Sequence, residues 1–127
     1  MSFERLLQKI VDEAGGGLGA ALMGLDGIPV AQVSRRDDGD AGGDPLEGDV
    51  TSAGIEFGRI LADMTKASDS LGTGLLREAV VSLARVTLVF HTVDDELMLV
   101  LALRPDGNLG KARYLIRRNL LEIRAEL

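Results

Sequence analysis

The chain has 127 residues, 20 acidic against 14 basic side chains, one histidine and no cysteine. That length suits a single domain over residues 1–127, and the missing cysteines exclude disulfides, thiolate metal sites and cysteine nucleophiles. An aromatic content of 3% leaves few platforms for stacking bases, and the net charge of -6 opposes nucleic-acid binding.

The first residues, MSFERLLQKI, carry Glu4 and Arg5 where a signal peptide needs an apolar run. Phe3, Leu6, Leu7, Ile10, Val11 and Ala14 recur at helical spacing behind Ser2, an N-cap residue, and the glycines at 15–17 stop the helix. Two apolar strands then flank Asp26-Gly27, a dipeptide suited to the positive backbone angles of a two-residue hairpin turn. Residues 36–49 hold six acidic side chains from Asp37 to Asp49 and no base beyond Arg36. With little to bury, this stretch reads as a flexible, solvated acidic loop.

Ala53, Phe57, Ile60, Leu61, Met64, Ala67 and Leu71 mark a second amphipathic helix, ended by Gly72 and Gly74. Strands follow at 76–83, 86–93 and 97–103, joined by gaps short enough to force antiparallel hairpins. The run at 97–103 is too short to span a bilayer, so a cytoplasmic protein without membrane insertion is expected. After the turn RPDGN, Asn108 caps a last helix with an apolar stripe of Leu109, Ala112, Ile116, Leu120, Ile123 and Leu127.

The order of elements is αββαβββα. The first and fifth strands are apolar on both faces and therefore central, whereas Pro29 puts the second strand at an edge. Arg77, Glu78 and Ser82 mark the third strand as the other edge. Hairpin connectivity then yields a five-stranded antiparallel sheet of order 2-1-5-4-3 in an α+β domain.

No motif carries catalysis. Gly15, Gly17 and Ala20 match G-x-G-x-x-A formally, but they follow a helix and open a strand, the reverse of the dinucleotide-binding context. His91 has no nucleophile in a recognisable setting and reads as a half-buried sheet residue. Neither the acidic loop nor Asp94-Asp95-Glu96 has calcium-loop spacing. The expectation is no catalytic residue, no metal and no cofactor. The last helix is net basic through Lys111, Arg113, Arg117, Arg118 and Arg124, a solvated face in its simplest reading.

The hairpin at Asp26-Gly27, the final RPDGNLGKARYLIRRNLLEIRAEL and, most specifically, Asn108-Leu109-Gly110 followed by Arg113 and Tyr114 resemble the roadblock/dynein light chain family. The similarity is greatest to small bacterial members related to the gliding-motility GTPase regulator, and it covers nearly the whole chain except 36–49. It implies a profilin-like domain with helix two on one sheet face and helices one and three on the other. It also implies pairing as a homodimer or with a related subunit, with third strands meeting edge to edge and second helices side by side. Phe57, Leu61, Met64, Arg77, Ala79 and Val81 would then form the dimer interface.

Family members are non-enzymatic scaffolds, so the resemblance implies a protein that binds and regulates a Ras-like small GTPase. Arg59, Asp63 and Lys66, spaced four and three apart on the second helix, would form the polar rim for that partner. No motif places Arg59, Arg77 or Arg85 as an arginine finger. The alternatives are a small-molecule sensory module, which needs a cavity between helix and sheet, and a structural adaptor without a GTPase partner.

Overall fold

The computed structural model describes residues 2–35 and 50–127; the acidic stretch 36–49 lies outside the described residues. The elements are α1 (Phe3–Glu13), β1 (Gly17–Gly24), β2 (Pro29–Ser34), α2 (Val50–Ser70), β3 (Glu78–Ser82), β4 (Thr87–Thr92), β5 (Leu97–Leu103) and α3 (Leu109–Ala125). The sheet order is β2-β1-β5-β4-β3 with every neighbouring pair antiparallel. Both edges fall where Pro29 and the polar third strand required.

The two helices on one sheet face start at local caps. Ser2 Oγ accepts from Arg5 N at the head of α1, and Asn108 Oδ1 accepts from Lys111 N at the head of α3. After α1 the chain reverses through Gly16, whose φ of +88° is open to glycine at little cost. A Cβ on the next residue, Gly17, would overlap the Val11 carbonyl oxygen, so α1 and β1 approach closely only because no side chain stands there. The turn docks on the β5–α3 turn, with Gly15 O accepting from Asn108 N (2.8 Å) and Gly16 O from Arg104 N (2.9 Å).

The β1–β2 connection is longer than a two-residue turn. Gly24 N donates to Ile28 O (2.8 Å) and Gly27 N to Gly24 O (2.9 Å), and only Gly27 takes a positive φ. Leu25, Asp26 and Gly27 thus form a three-residue loop, with Asp26 Oδ1 accepting from Ile28 N (3.0 Å). The pairing of β1 with β2 shifts register between Leu22 and Met23, next to Pro29. A proline at the edge leaves that irregularity tolerable.

Two apolar layers cover the sheet. On one face α1 and α3 bury Leu6, Leu7, Ile10, Ala112, Leu115, Ile116 and Ile123 against Ala20, Leu22, Val89, Leu99 and Leu101. On the other face Leu61 of α2, with Phe57 packed beside it, lies over Leu18, Met23, Leu88, Phe90 and Val100. Helix two therefore holds one face and helices one and three the other. Asn119 is also buried in α3, where its Nδ2 donates to Leu115 O (2.7 Å), so the stripe can carry an amide without an unpaired donor.

Candidate interaction surface

The faces of α2 differ in a way that decides what the helix can do. At about 100° per residue, Phe57, Gly58 and Leu61 point toward the sheet, and Leu61 is 4% exposed. Phe57 is half-buried, its ring centroid 6.4 Å from that of Phe90. Ile60 and Met64 lie on one flank and Leu71 just past its end; they remain 56%, 48% and 78% exposed. On the outward side Arg59, Asp63 and Lys66 are all exposed, within a turn or two of one another. Helical spacing had placed Ile60, Met64 and Leu71 in one stripe with Leu61; the structure separates them into a buried line and a bare apolar flank.

Met64 of that flank borders the chain that enters β3. Met64 and Ser68 share a groove of about 430 Å³ with Leu75, Leu76, Arg77 and Glu78. Along β3, Ala79 and Val81 are half-buried toward the α2 side, and Arg77 stands exposed just before the strand. Met64 and Arg77 thus share that groove, while Ala79 and Val81 pack with Phe57 and Leu61 against the same apolar layer. Leu61 supports this surface from within the core rather than forming part of it.

Hydrogen bonding marks which side of β3 is open. Thr92 N donates to Arg77 O and Leu83 N to Val86 O, both 2.9 Å, so the odd-numbered residues of β3 form the bonded pairs with β4. The alternation of an antiparallel ladder then turns the main-chain groups of Glu78, Val80 and Ser82 to the free edge. An exposed edge of this kind is a template for a further strand.

On the opposite face, α3 meets β3 through charge. Glu78 pairs with Arg113 and lies 3.5 Å from Arg117 Nη2. Burial pushes the Glu78 carboxyl up, but the Arg113 hydrogen bond and the charges of Arg113, Arg117 and His91 together outweigh it and hold the group below its ordinary range. Sequence reading singled out Glu78 only as an edge marker; its partners come from a helix far along the chain, a spacing no local pattern encodes.

Beside this cluster, a groove of about 840 Å³ runs between α3 and the β3–β4 edge. Most of its polar groups are engaged in structure. His91 is buried, and its Nδ1 donates to Thr92 O (3.0 Å), since a carbonyl can only accept. Thr92 Oγ1 donates to Leu76 O (2.6 Å) and Arg124 Nε to Val93 O (2.7 Å). Asp94 Oδ1 accepts from Glu96 N and Leu97 N at 2.8 Å, which makes it a turn residue. Among the described residues no three His, Asp or Glu side chains gather as metal ligands, and no helix is long and apolar enough to cross a membrane. Arg59, Arg77 and Arg85 occupy α2, the entry to β3 and the β3–β4 turn.

Over its full length the chain is similar to MglC of Myxococcus xanthus, at 34% identity, with 100% of each chain covered and a TM-score of 0.69. A Roadblock/LC7 domain of Streptomyces avermitilis matches at 14% identity, over 99% of this chain and 98% of that one, with a TM-score of 0.71. The gliding protein MglB of Thermus thermophilus matches at 20% identity, over 91% and 81%, with a TM-score of 0.72. At these lower identities the likeness is one of fold, which is profilin-like. No protein-family model matches the sequence, and neither does any curated protein.

Proposed function

The chain belongs to the roadblock/LC7 family, and on that premise we propose that it is a non-enzymatic, homodimeric scaffold of the cytoplasm that binds and regulates a Ras-like small GTPase. The observation that carries this reading is the three-sided character of α2. Its inner line holds the sheet, its flank of Ile60 and Met64 offers bare apolar area, with Met64 beside the chain entering β3, and its outer side presents Arg59, Asp63 and Lys66. An apolar flank near a free strand edge suits a second copy, because one contact covers both. The charged outer side then forms a surface across the paired helices, with the mixed polarity of a transient interface.

The test is binding of the purified protein to a Ras-like GTPase from its own cell, loaded with a non-hydrolysable GTP analogue. Reversing Arg59 and Lys66 to Glu removes two exposed cations, which costs little stability, and lowers affinity by at least about tenfold while the dimer persists. Unchanged affinity in that double variant would move the partner surface off α2. A wild-type dimer that binds no GTPase in either nucleotide state would make the protein a structural adaptor instead.

A further inference from the structure

A second surface lies at the end of the sheet opposite the Gly15–Asn108 contact, where the β1–β2 and β4–β5 turns sit side by side. Leu25, Ile28, Val30 and Leu97 line a shallow groove of about 460 Å³ there, and Asp26, Asp95 and Glu96 rim it without any basic side chain among the lining. Ile28 is 63% exposed and Val30 52%. These apolar side chains stand on a stiff base: Leu25 N donates to Glu96 O (3.0 Å), joining the two turns, and each turn is closed by its own aspartate, Asp26 or Asp94. A surface already ordered before binding loses little conformational entropy when covered.

The chain also carries the complement of this patch. On α3, Lys111, Tyr114, Arg118 and Leu121 recur at spacings of three and four on the side opposite the buried Ala112, Ile116 and Ile123. All four are exposed, Tyr114 and Leu121 among the most exposed large apolar side chains described. The stripe offers two cations around two apolar anchors, against three carboxylates around two aliphatic ones. Charge and apolar content match in kind, and the α3 stripe faces away from the sheet that carries the turns.

We propose that the acidic-rimmed turn patch, Asp26, Ile28, Val30, Asp95 and Glu96, docks on the outward face of α3 of a second copy, around Lys111, Tyr114, Arg118 and Leu121, and so links dimers into larger assemblies. The contact is heterologous, one surface on another, and its oppositely charged rims make it sensitive to salt. It uses neither the α2 flank nor the β3 edge. The assembly step it adds is therefore separable from dimer formation.

Sedimentation velocity on the full chain, over a range of concentrations at low and high salt, reads both steps. The wild type is expected to form species larger than the dimer at low salt and to lose them at high salt. Asp95→Lys with Glu96→Lys, or Lys111→Glu with Arg118→Glu, should each weaken that second step about tenfold or more and leave the dimer. Mixing the two reversed proteins should restore large species, since positive turns then face negative helices. Ile28→Ser should weaken the step without a change of charge. A wild type that never exceeds the dimer at low salt, reversed variants that assemble as the wild type does, or a mixture that fails to recover assembly overturns the proposal. Loss of the monomer–dimer step alone would count instead against the paired α2 and β3 surface.

Discussion

Gly16 and Gly72 both adopt positive φ, +88° and +73°, but their surroundings differ. A Cβ on Gly16 would lie 2.9 Å from Gly107 Cα, whereas one on Gly72 would meet nothing within 4 Å. Gly72→Ala should therefore cost only the left-handed backbone penalty, about 1–2 kcal/mol. Gly16→Ala adds displacement of the β5–α3 turn and should cost about 2–4 kcal/mol in all. Urea unfolding midpoints compare the two, and equal losses would mean that the turns are not locked together. Glu78 sets a different residue-level expectation. Its carboxyl is held below the usual 4.5 in the folded state, so its stabilisation is fully present above that pH and fades as pH falls through the folded pKa. With Arg113 and Arg117 both substantially exposed, solvent screening limits the effect to about 0.5–1 kcal/mol. Glu78→Gln should lose that much at pH 7, and stability curves of the two proteins should converge at acid pH. Curves that stay parallel down to pH 3 would show that the ion pair contributes nothing specific.

At the scale of elements, β3 is where hydrogen-bond direction decides the outcome of a substitution. The Val80 N–H faces the open edge, while the Ala79 N–H points to Phe90 on β4. Val80→Pro should thus leave the protomer folded but block strand addition, since proline is tolerated at an edge with its missing donor turned outward. Ala79→Pro breaks the internal ladder and should destabilise the protomer by about 3 kcal/mol. Circular dichroism with light scattering separates the two, and a Val80→Pro protein that remains a full-strength dimer would place the contact elsewhere. The strand order was readable in advance because β1 and β5 are apolar on both faces and Pro29 disqualifies β2 from the centre. The length of β3 was not: the run from Leu76 to Leu83 forms a strand only over Glu78–Ser82, with flanking hydrogen bonds at Arg77 and Leu83. The role of α2 was half readable. Periodicity identifies an apolar side but not what covers it, so Ile60 and Leu61 look alike in sequence although one is exposed and the other buried. The Glu78–Arg113 pair and the joined turns at Leu25 and Glu96 had no local signal, because each unites residues distant along the chain.

For the whole molecule, α2 leaves an apolar flank bare and β3 leaves a strand edge open, and stability should depend on whether these are covered. If two copies pair there, folding is linked to association and the thermal midpoint rises with protein concentration. Ile60 and Leu61, adjacent in sequence, separate the contributions. Ile60 is 56% exposed in the protomer, so Ile60→Glu removes little from the core and should change the dilute-limit stability by no more than about 0.5 kcal/mol. It places a charge in the apolar flank, however, and a carboxylate desolvated without a partner opposes pairing strongly. Leu61 is 4% exposed against the sheet, and Leu61→Ala should cost about 2–5 kcal/mol through lost burial and an unfilled cavity. Scanning calorimetry over a wide concentration range therefore has distinct expected patterns. The wild-type midpoint climbs with concentration, Ile60→Glu gives a flat line near the wild-type dilute limit, and Leu61→Ala lies lower throughout while keeping the wild-type slope. A wild-type midpoint independent of concentration, with the protein monomeric throughout, would remove the homodimer and leave the α2 flank for a different partner. A lowered dilute-limit midpoint in Ile60→Glu would show instead that this side chain supports the protomer itself.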